Sequence, residues 1–175
     1  MSVYFYGCIS LDGYLADKNH QLDWLDETGT VEETGYDDFY SQMDIIVMGR
    51  KTFDFIAEIE KFESFYKTTD NYVMTHRNDL NAETFTPISG DVREFIKEIP
   101  EGKNVWVVGG NTLLAPLLDD DLMDTLIIQI APVLLGKGIP LFTQRQALKR
   151  FSLKETNQYG QFAEMVLERK SERII

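Results

Sequence analysis

The sequence predicts an open α/β fold whose central sheet is largely parallel, with an antiparallel hairpin at its C-terminal edge. Short, continuously apolar runs such as IIVM at 45–48 and VWVV at 105–108 suit strands covered on both faces, as parallel strands are. Segments with apolar residues at helical spacing lie between those runs. After Leu122 the pattern changes to long strand-like segments that close on a Tyr159-Gly160 turn. A β-α alternation followed by strands alone is the signature of a parallel sheet with an antiparallel edge.

Element by element, residues 3–9 read as the first strand, stopped by the Asp12-Gly13 turn signal. An acidic loop covers 26–38. The spacing predicts a helix over 36–43 and a short buried strand over 45–48 ending at Gly49. A helix over 52–59 follows, with Thr52 placed to cap it. Strands are predicted over 71–75 and 105–108, the second bounded by Gly109-Gly110, with helices over 91–99 and 111–118. Segments 125–134, 151–157 and 162–168 supply the closing strands.

A chain of 175 residues with 43% hydrophobic and 12% aromatic content fits one folded domain over residues 1–175, and no linker, repeat or low-complexity tract divides it. Against 29 acidic residues stand 17 Lys and Arg, a net charge of -12 that repels nucleic acid and anionic membranes. An anion must then be held by a local, concentrated site. The single cysteine, Cys8, excludes an intramolecular disulfide and reads as a buried thiol in a reducing compartment, with no His nearby in sequence to activate it. Without a signal-peptide pattern or an apolar run of membrane-spanning length, a soluble cytoplasmic protein is expected, and no metal-ligand set is predicted.

In an open parallel sheet, ligands bind at the carboxyl ends of the strands, where helix N-termini present unpaired N–H groups. Three segments place polar residues there. Gly49-Arg50-Lys51-Thr52 combines a permissive backbone, two cations and a hydroxyl. Thr75-His76-Arg77 follows the next strand, and Gly109-Gly110-Asn111-Thr112 makes a tight turn before a helix. Each also has a plainer reading, as a solvated turn, a surface histidine and an ordinary strand-to-helix turn. The Gly109-Gly110 turn is not GxGxxG, so the Rossmann fingerprint is absent. Their joint placement at strand ends is what favours a ligand.

VMGRKTF at 47–53, VMTHR at 73–77 and VWVVGGNTLLAPLL at 105–118 resemble, in order and spacing, the cofactor-binding segments of the dihydrofolate reductase superfamily. SLDGYLA at 10–16 and IAPVLLGKGIPLF at 130–142 resemble one branch more closely, the reductase domain at the C-terminus of bifunctional riboflavin-biosynthesis proteins, the RibD C-terminal domain. The resemblance implies a three-layer α/β/α fold binding NADPH across the strand ends. Carried over by position, Arg50, Lys51 and Thr52 meet phosphates, Thr75, His76 and Arg77 frame the adenosine and its 2′-phosphate, and Gly109, Gly110, Asn111 and Thr112 wrap the pyrophosphate. It also implies a homodimer and a small-molecule substrate, which in the riboflavin enzymes is 5-amino-6-(5-phosphoribosylamino)uracil.

The substrate side departs from the dihydrofolate reductases. EKFESFYKTTDNY at 60–72 replaces the segment whose arginine grips folate, and Asp23-Trp24-Leu25 resembles their mobile loop with its proline lost. Hydride transfer needs no protein nucleophile, so the side-chain role to find is a proton donor. Asp12 in the SLDG turn and Asp37, with Glu33 and Asp38 beside it near a helix start, are the candidates. Asp12 also suits a turn, and acidic residues favour helix N-termini without any catalytic role. The stretch 136–142 reads either as a lid or as a strand connection at a dimer surface. The expected activity is an NADPH-dependent reductase; the alternatives are a non-catalytic dinucleotide-binding module and a reductase of pterins.

Overall fold

The computed structural model describes residues 1–145 and 148–170. Strand β1 (Ser2–Ser10) turns into β2 (Tyr14–Asp17), and helices α1 (Asp23–Asp26) and α2 (Tyr36–Tyr40) lead to β3 (Ile45–Gly49). Helix α3 (Arg50–Ile56) starts directly at the end of β3. Strands β4 (Asp70–Met74) and β5 (Phe85–Ile88) precede α4 (Val92–Glu98), β6 (Asn104–Gly109) and α5 (Asn111–Asp119). The last part holds β7 (Thr125–Ala131), β8 (Gly138–Pro140), β9 (Phe151–Tyr159) and β10 (Phe162–Arg169).

Eight strands form one sheet in the order β5-β4-β3-β6-β1-β7-β10-β9. All neighbours from β5 to β7 are parallel, and β10 runs antiparallel to both β7 and β9. Ile46, Val47 and Met48 of β3 are each 0% exposed, because a strand inside such a sheet is covered twice. Val47 joins Ile96 and Leu114 under α4 and α5, while Ile46 and Met48 meet Phe39 and Phe53 under α2 and α3. The fold is thus the expected three-layer α/β/α sandwich with an antiparallel C-terminal hairpin. Helix α5 seals its side with Leu113, Leu114, Leu117 and Leu118, each fully buried leucine contributing about 1.5–3 kcal/mol.

Several boundaries differ from the sequence reading, each for a local reason. Helix α3 begins at Arg50, not Thr52: Gly49 is its N-cap, so Thr52 sits inside the first turn and does not cap the helix. The helix expected over 36–43 stops at Tyr40, where Ser41 Oγ and Gln42 Nε2 both donate to the Asp38 carbonyl, at 2.8 and 2.9 Å. The strand expected over 125–134 ends at Ala131, because Pro132 has no N–H for the ladder. Val133 N then donates back to the Ala131 carbonyl at 2.8 Å. Strand β5, with Pro87 on the outer edge, and the two-stranded sheet β2-β8 were not foreseen. Strands β2 and β8 are four and three residues long, too short to show a period. Among the described residues no helix is long and apolar enough to cross a membrane.

Candidate functional site

Strands β4, β3 and β6 are adjacent and parallel, so segments 49–52, 75–77 and 109–112 emerge at one edge of the sheet. The N-caps of α3 and α5 are Gly49 and Gly110, and neither has a side chain to occupy the first free N–H groups of its helix. The two helix starts lie side by side, with Met48 paired to Gly109 just before them. A methyl group on Gly49 would lie 3.7 Å from both the Gly109 carbonyl oxygen and the Gly110 nitrogen, and one on Gly110 would lie 3.8 Å from Thr52 Oγ1. Gly109 adopts φ +131, a conformation that favours glycine, and its peptide bond to Gly110 is cis. Two uncapped helix N-termini, kept bare by glycine and with the Thr52 hydroxyl nearby, are suited to an anion with several oxygens.

A groove of about 460 Å³ lies between the end of β4 and α5, reaching the first turn of α5 at Thr112 and Leu113. Thr75 and His76 line one wall, Thr112 and Pro116 the other, and Asp91 with Arg93 close its rim. Pro116 has no N–H, so the Thr112 carbonyl lacks its usual helical partner beside the groove. Thr75 Oγ1 accepts from Arg77 N at 3.1 Å, which turns the chain after β4. Arg93 was missed from the sequence, although Asp91 was read as a helix start. Asp91 caps α4 by accepting from Arg93 N at 2.8 Å, and its carboxylate also holds the Arg93 guanidinium, with Nε donating at 2.9 Å.

The two arginines are already engaged. Arg50 donates through Nε to Asp54 Oδ1 at 2.7 Å and through Nη1 to Asp79 Oδ1 at 3.0 Å. Arg77 meets the same Asp79 through two nitrogens, at 3.1 and 2.6 Å. Hydrogen bonds from these guanidiniums hold the Asp79 carboxyl far below the usual carboxylate range. Lys51 is exposed in the first turn of α3. Asn111 is drawn the other way: its Nδ2 donates to the Pro140 carbonyl at 2.9 Å, tying the start of α5 to β8.

The two carboxylates considered as acids occupy different settings. Asp12 Oδ1 accepts from Ser10 Oγ at 2.6 Å and Leu135 N at 3.1 Å, and Oδ2 accepts from Gly136 N at 2.8 Å. The Ser10 hydroxyl, then the two amides, hold its carboxyl below the ordinary value, so it is ionised near neutrality and lacks a proton to give. Asp37 is exposed in the first turn of α2, with Asp38 beside it and Glu33 in the preceding 3-10 turn. Trp24 packs with Ala131 and Phe162, with Cys8 against them. Cys8 is half-buried, and burial pushes its thiol up to about 12, far from thiolate chemistry. Among the described residues no group of three or more His, Cys, Asp or Glu side chains is placed to hold a metal ion.

The family model that matches this chain is that of the RibD C-terminal domain, over residues 2–163. The chain belongs to the RibD C-terminal domain family. A Bacillus subtilis (strain 168) relative, the uncharacterised protein YwjB, is 34% identical over 163 residues, which cover 91% of this chain and 93% of that one. A crystal structure of a putative riboflavin biosynthesis protein from Shewanella sp. PV-4 superimposes with a TM-score of 0.84 at 26% identity, covering 98% of this chain and all (100%) of the other. The fold reaches further. Dihydrofolate reductase from Enterococcus faecalis, solved with NADP(H), aligns over 97% of both chains with a TM-score of 0.67 at 11% identity. Within this RibD-type frame the glycine N-caps of α3 and α5 and the polar side chains of Thr75, His76 and Thr112 in the groove are of the kind that fit a dinucleotide.

Proposed function

We propose that the protein is an NADPH-dependent reductase of the RibD C-terminal type, acting on a small heterocycle or a sugar-linked carbonyl or imine. The observation that carries the reading is the close placement of the bare N-termini of α3 and α5 at Gly49 and Gly110, with the groove lined by Thr75, His76 and Thr112 beside the start of α5. Free N–H groups from Asn111 and Thr112 would hold the pyrophosphate, with Thr52 Oγ1 facing it. Arg50 and Lys51 would meet phosphate from the other side, and Thr75, His76 and Arg77 would frame the adenosine and its 2′-phosphate.

Reduced nicotinamide, when bound, supplies the hydride. The chain's own part is to orient the two reactants and exclude water. The tie from Asp12 to Leu135 and Gly136, continued by Leu141 N to the Gly13 carbonyl at 3.1 Å, holds the β2-β8 pair together at the end of β1. We assign that pair the role of lid. With Asp12 committed as an ionised clamp, Asp37, with Glu33 and Asp38 beside it, is left to test as proton donor. A fold neighbour from Thermotoga maritima, described as a diaminohydroxyphosphoribosylaminopyrimidine deaminase/5-amino-6-(5-phosphoribosylamino)uracil reductase, makes 5-amino-6-(5-phosphoribosylamino)uracil the first substrate to try.

Titration with NADPH and NADH, followed by the fluorescence of Trp24 and Trp106, tests the cofactor. Oxidation of the bound cofactor with a panel of pyrimidines, pterins and quinones tests the reaction. Turnover of a pyrimidine supports the proposal. Binding without turnover across the panel moves the reading to a non-catalytic dinucleotide module, and absence of binding removes both.

A further inference from the structure

Asp79 stands between the two guanidiniums that the cofactor reading assigns to phosphate. Its Oδ1 accepts from Arg50 Nη1 at 3.0 Å and Arg77 Nε at 3.1 Å, and its Oδ2 accepts from Arg77 Nη2 at 2.6 Å. Arg50 is paired again with Asp54 at 2.7 Å. Arg50 and Arg77 therefore face two carboxylates, and with the neighbouring Lys51 the local excess is one positive charge where the sequence alone suggests three. A ribose 2′-phosphate must compete with Asp79 for the same guanidinium N–H groups and sit beside its charge. A ribose 2′-hydroxyl carries no charge and can donate a hydrogen bond to a carboxylate.

We propose that Asp79 is a specificity-determining residue: it weakens the preference for a 2′-phosphorylated dinucleotide, so that the protein accepts NADH alongside NADPH. The inference rests on the dinucleotide reading above and concerns only which dinucleotide is taken. Asp79 and Arg77 are both more than half exposed, at 56% and 63% of their side-chain surfaces, so the effect weakens as salt rises.

Calorimetric titration of the wild-type protein and Asp79→Asn with 2′,5′-ADP, 5′-AMP and NADH isolates the 2′-phosphate. The variant should bind 2′,5′-ADP about tenfold more tightly at low salt, as expected when a competing charge leaves a half-exposed site. Its affinity for 5′-AMP and NADH should not rise. Asp79→Ser removes the same charge with a different shape and should give the same shift. A gain in only one variant, or unchanged or weaker 2′,5′-ADP binding in both, overturns the proposal and makes Asp79 a support for the arginines. Failure of the wild-type protein to bind either NADPH or NADH is a different result: it removes the dinucleotide reading itself, and this proposal with it.

Discussion

Gln129 Nε2 donates to Glu164 Oε2 at 2.9 Å between directly paired residues of β7 and β10, and both side chains are 5% exposed. The same Gln129 nitrogen donates to Tyr6 Oη at 2.7 Å, and Tyr6 Oη donates to Thr34 Oγ1 at 3.3 Å. Asn157 Nδ2 completes the chain by donating to Glu164 Oε1 at 3.1 Å. A polar thread thus crosses β1, β7, β10 and β9 and reaches the loop before α2. Buried polar groups are tolerated when each finds a partner, and here they link the parallel part of the sheet to its antiparallel edge.

Breaking the thread in the middle should be costly. Gln129→Leu strands the Tyr6 hydroxyl and one Glu164 oxygen without their shared donor, and a loss of about 1–3 kcal/mol is expected in urea unfolding. The double variant with Glu164→Leu should cost less than the sum of the two single changes, because each already removes the same contact. Additive losses would show that the two side chains are not coupled.

Alkaline pH offers a second test of the same region. Burial pushes the Tyr6 phenol up from 10.0 to about 12 in the folded chain. The raised value means that the contribution is fully present below pH 10 and is lost as pH rises toward about 12, where the unfolded chain ionises first. Cys8 and Tyr66 are raised in the same way and add to the slope. Tyr6→Phe should therefore flatten the fall in unfolding free energy across that window relative to wild type, as read by denaturant titration at successive pH values.

Whether such features are legible in the sequence depends on whether they are local. The run Ile45–Gly49 announces a central strand because every residue through Met48 is buried, and a continuous apolar run is that burial written in one dimension. The glycine-marked strand ends follow from the same logic. The β2-β8 pair was illegible because three or four residues carry no period, and its partners are brought together only by the sheet. The part played by Asp79 is hidden for a related reason. Arg50 and Asp79 are 29 positions apart, and nothing in the sequence says which acidic residue will face the arginine. Gln129 and Glu164 owe their pairing to strand register, which the hydrophobic pattern sets and no single residue displays.

The lid assigned to β2 and β8 can be probed through its clamp. Asp12→Ala removes the acceptor for the Leu135 and Gly136 amides, so both should exchange hydrogen faster, while the amides of β3 keep their protection. Because the Asp12 carboxyl is held below its usual 3.8, the clamp is intact above that pH and loosens only as pH falls through the lowered value. Unchanged exchange in Asp12→Ala would place the ordering of this loop in the Tyr14 and Leu141 contacts.

Arg77→Ala bears most directly on the cofactor. Arg77 is exposed and its guanidinium bonds both go to Asp79, so its removal should leave the fold untouched, with a surface change of less than about 0.5 kcal/mol in unfolding. A charge-assisted hydrogen bond to a phosphate is worth about 1.5–3 kcal/mol, so NADPH affinity should fall by about tenfold or more. NADH lacks the 2′-phosphate and should lose far less. The released Asp79 carboxylate deepens the asymmetry, since it then faces the phosphate with Arg50 as its remaining partner. Fluorescence titration of both nucleotides against both proteins measures the difference. Equal losses for the two would move recognition of the 2′-phosphate to Arg50 or Lys51, and with it the centre of the adenosine site toward the start of α3.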